Sequence, residues 1–172
     1  LPFEKEYYDK LKYEVFYVGH PLFDVLKDFQ TNNSKRKKII ALLPGSRDQE
    51  ISKILPVMLT VTKYFRNYKF IICAAPSKTK SFYKKFINKN YCENIDILEN
   101  QTYNVLYKSS AALVASGTAT LEAALIKTPQ VVCYKSSWIS IQIGKFLLRN
   151  LKFISLVNLI LNKAAVKELI QD

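Results

Sequence analysis

Glycine is scarce, with four in 172 residues, and so is arginine: Arg36, Arg47, Arg66 and Arg149 are the only ones among 26 basic residues, leaving 22 Lys. The glycines fall into neither G-x-G-x-x-G nor G-x-x-x-x-G-K-[ST], which excludes a dinucleotide fingerprint and a Walker phosphate loop. Histidine occurs once, as His20 in Val18-Gly19-His20-Pro21. A lone imidazole far from any Cys cannot build a metal site, and no Ser/His/Asp arrangement is legible, so neither metal nor cofactor is expected. The three cysteines, Cys73, Cys92 and Cys133, form no C-x-x-C pair. Two of them sit in apolar runs, where Cys is a small hydrophobe, and a reducing cytoplasm is the expectation. Charge-free segments such as Ser136 to Gly144 and Phe153 to Leu161 fall short of the roughly 20 apolar residues that span a bilayer, and no signal peptide is expected at the start of the chain. A soluble or peripheral protein is expected. Residue 1 is Leu rather than Met, so the sequence is expected to begin inside something larger or to have been processed.

What is present suffices for one α/β domain: 49% of the residues are hydrophobic, enough to bury a core. The formal charge of +12 favours an anionic partner, whether nucleic acid, an acidic membrane surface or a phosphorylated substrate. Abundant Lys, Ile, Asn and Tyr with little Gly and Arg is also the pattern of an AT-rich genome, so a solvated Lys-rich surface explains the charge equally well.

Residues 1–36 are mixed and aromatic-rich, and the polar run Thr31 to Lys38 reads as a loop or linker. After it a regular alternation begins. Ile39 to Leu43 is an unbroken apolar run, Pro44-Gly45-Ser46 stops it, and Asp48 to Arg66 carries Ile51, Ile54, Leu55, Met58, Val61, Thr62 and Phe65 at helical spacing. Ser46 with Gln49 predicts a capping box. Strands follow over Phe70 to Ala75, Ile95 to Leu98, Ala111 to Ala115 and Gln130 to Tyr134. Helices are predicted over Ser77 to Ile87, Thr102 to Lys108, Thr118 to Ile126, Trp138 to Leu151 and, closing the chain, Ala164 to Gln171. Continuously apolar strands alternating with helices argue a Rossmann-like, doubly wound parallel sheet over residues 37–172.

Ligands of such sheets bind beyond the carboxyl ends of the strands, where helix N-termini offer free N–H groups to anions. Two loops stand in that place. Pro44-Gly45-Ser46-Arg47 offers a glycine for close backbone approach, a hydroxyl and a guanidinium able to grip phosphate oxygens bidentately. Taken alone it serves equally as a helix cap with an exposed Arg. Ser116-Gly117-Thr118-Ala119-Thr120-Leu121-Glu122 brings three hydroxyls to a helix start, with a carboxylate one turn inside that can accept both hydroxyls of a ribose. Taken alone it is a capped helix whose Glu122 complements the dipole. Two such loops after neighbouring central strands point to a nucleotide diphosphate.

These stretches resemble a known family. Pro2-Phe3-Glu4, Val18-Gly19-His20-Pro21-Leu22, Leu42-Leu43-Pro44-Gly45-Ser46-Arg47 with Glu50 and Leu55-Pro56, Ser116 to Glu122, Val131-Val132-Cys133-Tyr134 and Glu168-Leu169-Ile170-Gln171 are similar, in the same order, to lipid-A-disaccharide synthase. The resemblance covers essentially the whole chain. It implies an inverting, metal-independent glycosyltransferase of the two-domain GT-B architecture, joining UDP-2,3-diacylglucosamine to 2,3-diacylglucosamine 1-phosphate and releasing UDP. This chain looks like the C-terminal, donor-binding half, with residues 1–36 as lead-in. The half that supplies the acceptor site and the general base is not in it, so it is expected to be inactive alone.

Carried over by position, the resemblance gives Gly45, Ser46 and Arg47 to the diphosphate, Ser116, Gly117 and Thr118 as further donors, and Glu122 to the ribose. Asn158, Glu168 and Gln171 fall where the family keeps donor-contacting residues. The sequence departs from the family at Leu156-Val157-Asn158, where L-P-N is usual, and at Ser110, where an acidic residue is more common. Arg47 is the candidate catalytic group, stabilising the departing UDP. Between Trp138 and Leu161 apolar residues are interrupted by Lys145, Arg149 and Lys152, a pattern that suits either an anionic bilayer surface or a core-facing helix with snorkelling basic residues. The acylated substrates of the family favour the cytoplasmic face of the inner membrane. The competing reading is a non-catalytic basic binding module for nucleic acid or anionic membrane; no recognised nucleic-acid motif supports the former, and no nucleic acid is expected.

Overall fold

The computed structural model describes residues 2–27, 35–88, 91, 94–115, 117–135 and 153–171. Six strands form one sheet: β1 (Lys37–Leu43), β2 (Lys69–Ala74), β3 (Ile95–Glu99), β4 (Ser109–Ala115), β5 (Gln130–Lys135) and β6 (Lys167–Gln171). All neighbours are parallel, in the order β3-β2-β1-β4-β5-β6. That is the order of a Rossmann sheet, in which the chain reverses its direction of progress between β1 and β4 and leaves a crevice at their carboxyl ends.

The helices are α1 (Pro2–Lys10), α2 (Leu22–Lys27), α3 (Asp48–Thr60), α4 (Lys80–Lys84), α5 (Thr102–Lys108), α6 (Thr118–Leu125) and α7 (Leu156–Leu161), with a 3-10 turn at Val61–Lys63. They cover both faces of the sheet, which explains why β1 and β2 lack polar alternation. Ile40, Leu42, Phe70 and Ile72 face Ile51, Leu55, Met58 and Leu59 of α3 and Tyr83 of α4. The intervening Ala41, Leu43, Ile71 and Cys73 face Val105 and Leu106 of α5 and Ala123 of α6. Leu42, Ile51, Leu55, Phe70 and Ile72 are fully buried, and each such side chain contributes about 1.5–3 kcal/mol relative to exposure.

Three expectations are corrected. The closing helix predicted over Ala164 to Gln171 is a strand: Asn162 ends α7 in the left-handed region, and Lys167–Gln171 pairs in parallel with β5, so tertiary hydrogen bonding wins over local preference. The long helix after β1 is regular only to Thr60 and tightens into the 3-10 turn. The basic run read as linker already belongs to the domain at its end. β1 starts at Lys37, and Arg36 donates to the carbonyls of Leu106, Ser109, Ile126 and Lys127 and to the Thr128 hydroxyl.

The lead-in holds α1 and α2, while residues 13–20 carry no regular element and leave Phe16 and Val18 81% and 94% exposed. The helix expected over Trp138 to Leu151, with Lys145 and Arg149, lies outside the described residues, as does Cys92. No described helix is long and apolar enough to cross a membrane.

Candidate functional site

A cleft of about 660 Å³ opens at the carboxyl ends of β1, β2, β3 and β4. Its wall at β1 is Gly45, Ser46, Arg47 and Glu50, and its wall at β4 is Gly117, Thr118, Ala119 and Glu122. The sheet order places the two turns together: β1 and β4 are adjacent in register, Leu43 beside Val114, so the loops that follow them start side by side.

Each turn depends on a glycine with positive φ, +97° at Gly45 and +125° at Gly117, conformations that an L side chain rarely adopts. At Gly45 an added Cβ would also collide with the Glu50 carboxylate. The capping box predicted for Ser46 and Gln49 is not formed. The helix starts one residue later, with extended Arg47 as its N-cap and no side-chain cap, and the Ser46 amide donates to Glu50 Oε2 at 3.3 Å. Arg47 is exposed and its side chain makes no hydrogen bond or ion pair with a described residue, so its guanidinium is available to a ligand.

In the second turn, Thr120 is buried and donates its hydroxyl to the Gly117 carbonyl at 2.8 Å, leaving exposed Thr118 as the free hydroxyl among the described residues of the motif. Ser116 lies outside the described residues. Glu122 is half-buried; burial raises its carboxyl above the ordinary range, and the Tyr103 hydroxyl, 3.4 Å from Oε1, offsets this only in part. Cys73 also lines the cleft, and its thiol is pushed up to about 12, by burial first and by the Glu122 charge second. It is therefore a neutral wall, not a nucleophile.

Tyr103 is a cleft residue that sequence reasoning passed over. It stands at the start of α5, where no motif or spacing marks it; its hydroxyl meets Glu122 because α6 packs beside α5. Tyr83 is similar in kind: it is fully buried and its hydroxyl accepts from the Ala75 amide at 2.9 Å, fixing the turn after β2 that closes the cleft.

Asn158 and Glu168 do not line this cleft; they hold α7 against β6. Glu168 accepts from the Ile154 and Ser155 amides at 3.0 and 2.9 Å, from the Ser155 hydroxyl at 2.7 Å and from Asn158 Nδ2 at 2.8 Å. Burial alone would raise the Glu168 carboxyl, but these bonds outweigh it and hold it below its usual value. Asn158 is buried and clasps both backbone groups of Val166. Gln171 ends β6, and its side chain lies outside the described residues. Ser110 donates its hydroxyl to the Lys37 carbonyl, tying β4 to β1. No group of three or more His, Cys, Asp or Glu able to hold a metal occurs among the described residues.

The lipid-A-disaccharide synthetase family model matches residues 1–172. The lipid-A-disaccharide synthases of Francisella tularensis subsp. novicida (strain U112) and subsp. tularensis (strain WY96-3418) are each 38% identical over 100% of this chain and 49% of their own length. The chain thus spans about half the length of the curated relatives it matches. Among solved structures, ADP-heptose LPS heptosyltransferase II of E. coli aligns over 72% of this chain and 40% of that one, with 14% identity and a TM-score of 0.46. The glycosyltransferase SnogD of Streptomyces nogalater aligns over 70% and 31%, with 22% identity and a TM-score of 0.42.

Proposed function

The chain belongs to the lipid-A-disaccharide synthetase family, and from that premise we propose that it is the donor-binding half of an inverting UDP-sugar glycosyltransferase of GT-B architecture. The observation that carries the reading is the facing pair of turns, Gly45 to Arg47 and Gly117 to Thr118, across a cleft at the switch point of the sheet. Turn amides, a hydroxyl and a guanidinium with no partner among the described residues suit a diphosphate, and Glu122, one helical turn inside, suits the vicinal hydroxyls of the ribose. The donor is UDP-2,3-diacylglucosamine and the acceptor 2,3-diacylglucosamine 1-phosphate.

In the reaction, the acceptor hydroxyl oxygen bonds to the anomeric carbon as the bond from that carbon to the diphosphate oxygen breaks. The hydroxyl proton passes to a base, and UDP leaves as the anion. Negative charge grows on the diphosphate during the step, so Arg47 and the amides of both turns stabilise the transition state more than the bound donor. The base and the acceptor site lie outside residues 37–172, in a part of the enzyme that would bury surface such as Phe16 and Val18 of the lead-in. Any contact of Glu168 or Asn158 with the donor must use the lone pairs left over from their own network.

Calorimetry of the chain with UDP tests this reading. Binding is expected, with Arg47→Ala weakening it by about 1.5–3 kcal/mol, the worth of a charge-assisted hydrogen bond. An unchanged affinity would return Arg47 to the role of an exposed helix cap. Attachment to the inner face of an anionic membrane belongs to the same proposal, because both substrates carry acyl chains. Sedimentation with anionic liposomes that persists in high salt, or is equalled by neutral ones, would remove its electrostatic basis.

A further inference from the structure

The phosphate turn is not empty of negative charge. Glu50, third residue of α3, folds back so that its carboxylate accepts from the Ser46 amide and sits directly over Gly45, where it would collide with any Cβ. The amides of Asp48, Gln49 and Glu50 precede the first intrahelical bond, from the Ile51 amide to the Arg47 carbonyl, so they add to the positive field at this spot. Glu50 is half-buried and forms no ion pair with a described residue, although Arg47 lines the same wall and its side chain likewise has no partner among the described residues. Among the described residues, the one hydrogen bond of its side chain is to the turn.

We propose that Glu50 is an internal anion of the donor site: it occupies the place of a donor phosphate when the cleft is unliganded and is exchanged for it on binding. This rests on reading the cleft as a nucleotide-diphosphate site and adds to it a residue that sets affinity and release. A diphosphate outcompetes one carboxylate because it also engages Arg47 and the second turn, with neither of which the Glu50 side chain makes a hydrogen bond or ion pair among the described residues. The displaced side chain is long, flexible and already half in solvent, so moving it aside costs little. Two consequences follow for turnover. Gly45 is held at φ +97° before the donor arrives, so the turn need not be ordered at that moment. After transfer, the carboxylate returns to the amide and competes with departing UDP. An internal competitor lowers apparent affinity by the fraction of time it holds the site.

The test is calorimetric titration of the 172-residue chain, Glu50→Gln and Glu50→Asp with UDP and with inorganic pyrophosphate, with far-UV circular dichroism to check that the fold is kept. Glu50→Gln keeps the size and loses the charge; Glu50→Asp keeps the charge but falls a methylene short of the turn. Both are expected to bind both ligands more tightly than wild type, by about threefold to tenfold for Gln and less for Asp. Wild type binding as tightly as Glu50→Gln, or more tightly, overturns the internal anion and leaves the donor site standing. If wild type and both folded variants bind neither ligand, the donor-site reading falls and this inference falls with it.

Discussion

The guanidinium of Arg36 donates to the carbonyl of Ser109 at 2.7 Å, joining the residue before β1 to the first residue of β4. From the same place it reaches Leu106 O at the end of α5 and Ile126 O and Lys127 O just beyond α6. A cation at two helix C-termini complements their dipoles and adds to the bonds that Leu106 O already accepts from the Ser109 amide and the Thr128 hydroxyl. Arg36 therefore locks the amino end of the two central strands, opposite the cleft, and fixes the side-by-side start of β1 and β4.

Arg36→Ala should cost about 2–3 kcal/mol of stability, since several charge-assisted hydrogen bonds to part-buried carbonyls are lost. Arg36→Lys should recover only part of it, because an ammonium cannot fork to separate acceptors. Urea unfolding gives the measurement; a loss below about 0.5 kcal/mol for Arg36→Ala, the range of an ordinary surface change, would show the clasp to be idle.

Glu168 predicts the acid limb of stability. Its carboxyl is held below the ordinary 4.5, so the folded state binds its proton more weakly than the unfolded one. The contribution is present above pH 4.5 and is lost as pH falls through the depressed value. Glu168→Gln should flatten this part of the acid limb and cost about 1.5 kcal/mol at pH 7, the low end for a charged acceptor because the group is partly exposed. A variant whose acid unfolding superimposes on wild type would deny Glu168 that role.

Glu122 has the opposite sign. Burial raises its carboxyl above 4.5, so its contribution is fully present below that pH and is lost as pH rises through the raised value. Glu122→Gln should therefore raise Tm at pH 7 and leave it near wild type at pH 4. The same variant should weaken UDP by about 1.5–3 kcal/mol while leaving pyrophosphate unchanged, since only the ribose hydroxyls lose their acceptor. Equal loss for both ligands would place Glu122 on the phosphates instead.

The sequence by itself determined the alternation of strands and helices from β1 to β5, because strands buried on both faces must be continuously apolar and α3 must carry its stripe at helical spacing. It also marked Gly45 and Gly117, since a strand running straight into a helix needs a turn few residues can make. The tertiary structure decided what local pattern cannot encode. Lys167 to Gln171 is a strand because β5 offers an unpaired edge, and Arg36 is a clasp because two helix ends from 70 to 91 residues away converge on it. The cleft gains Tyr103 and Glu50 in the same way. One meets Glu122 only once α5 and α6 lie on the same face, and the other reaches back onto its own turn only because Arg47, not Ser46, caps α3. Hydrogen-bond partners set by which elements meet in space leave no periodicity in the chain.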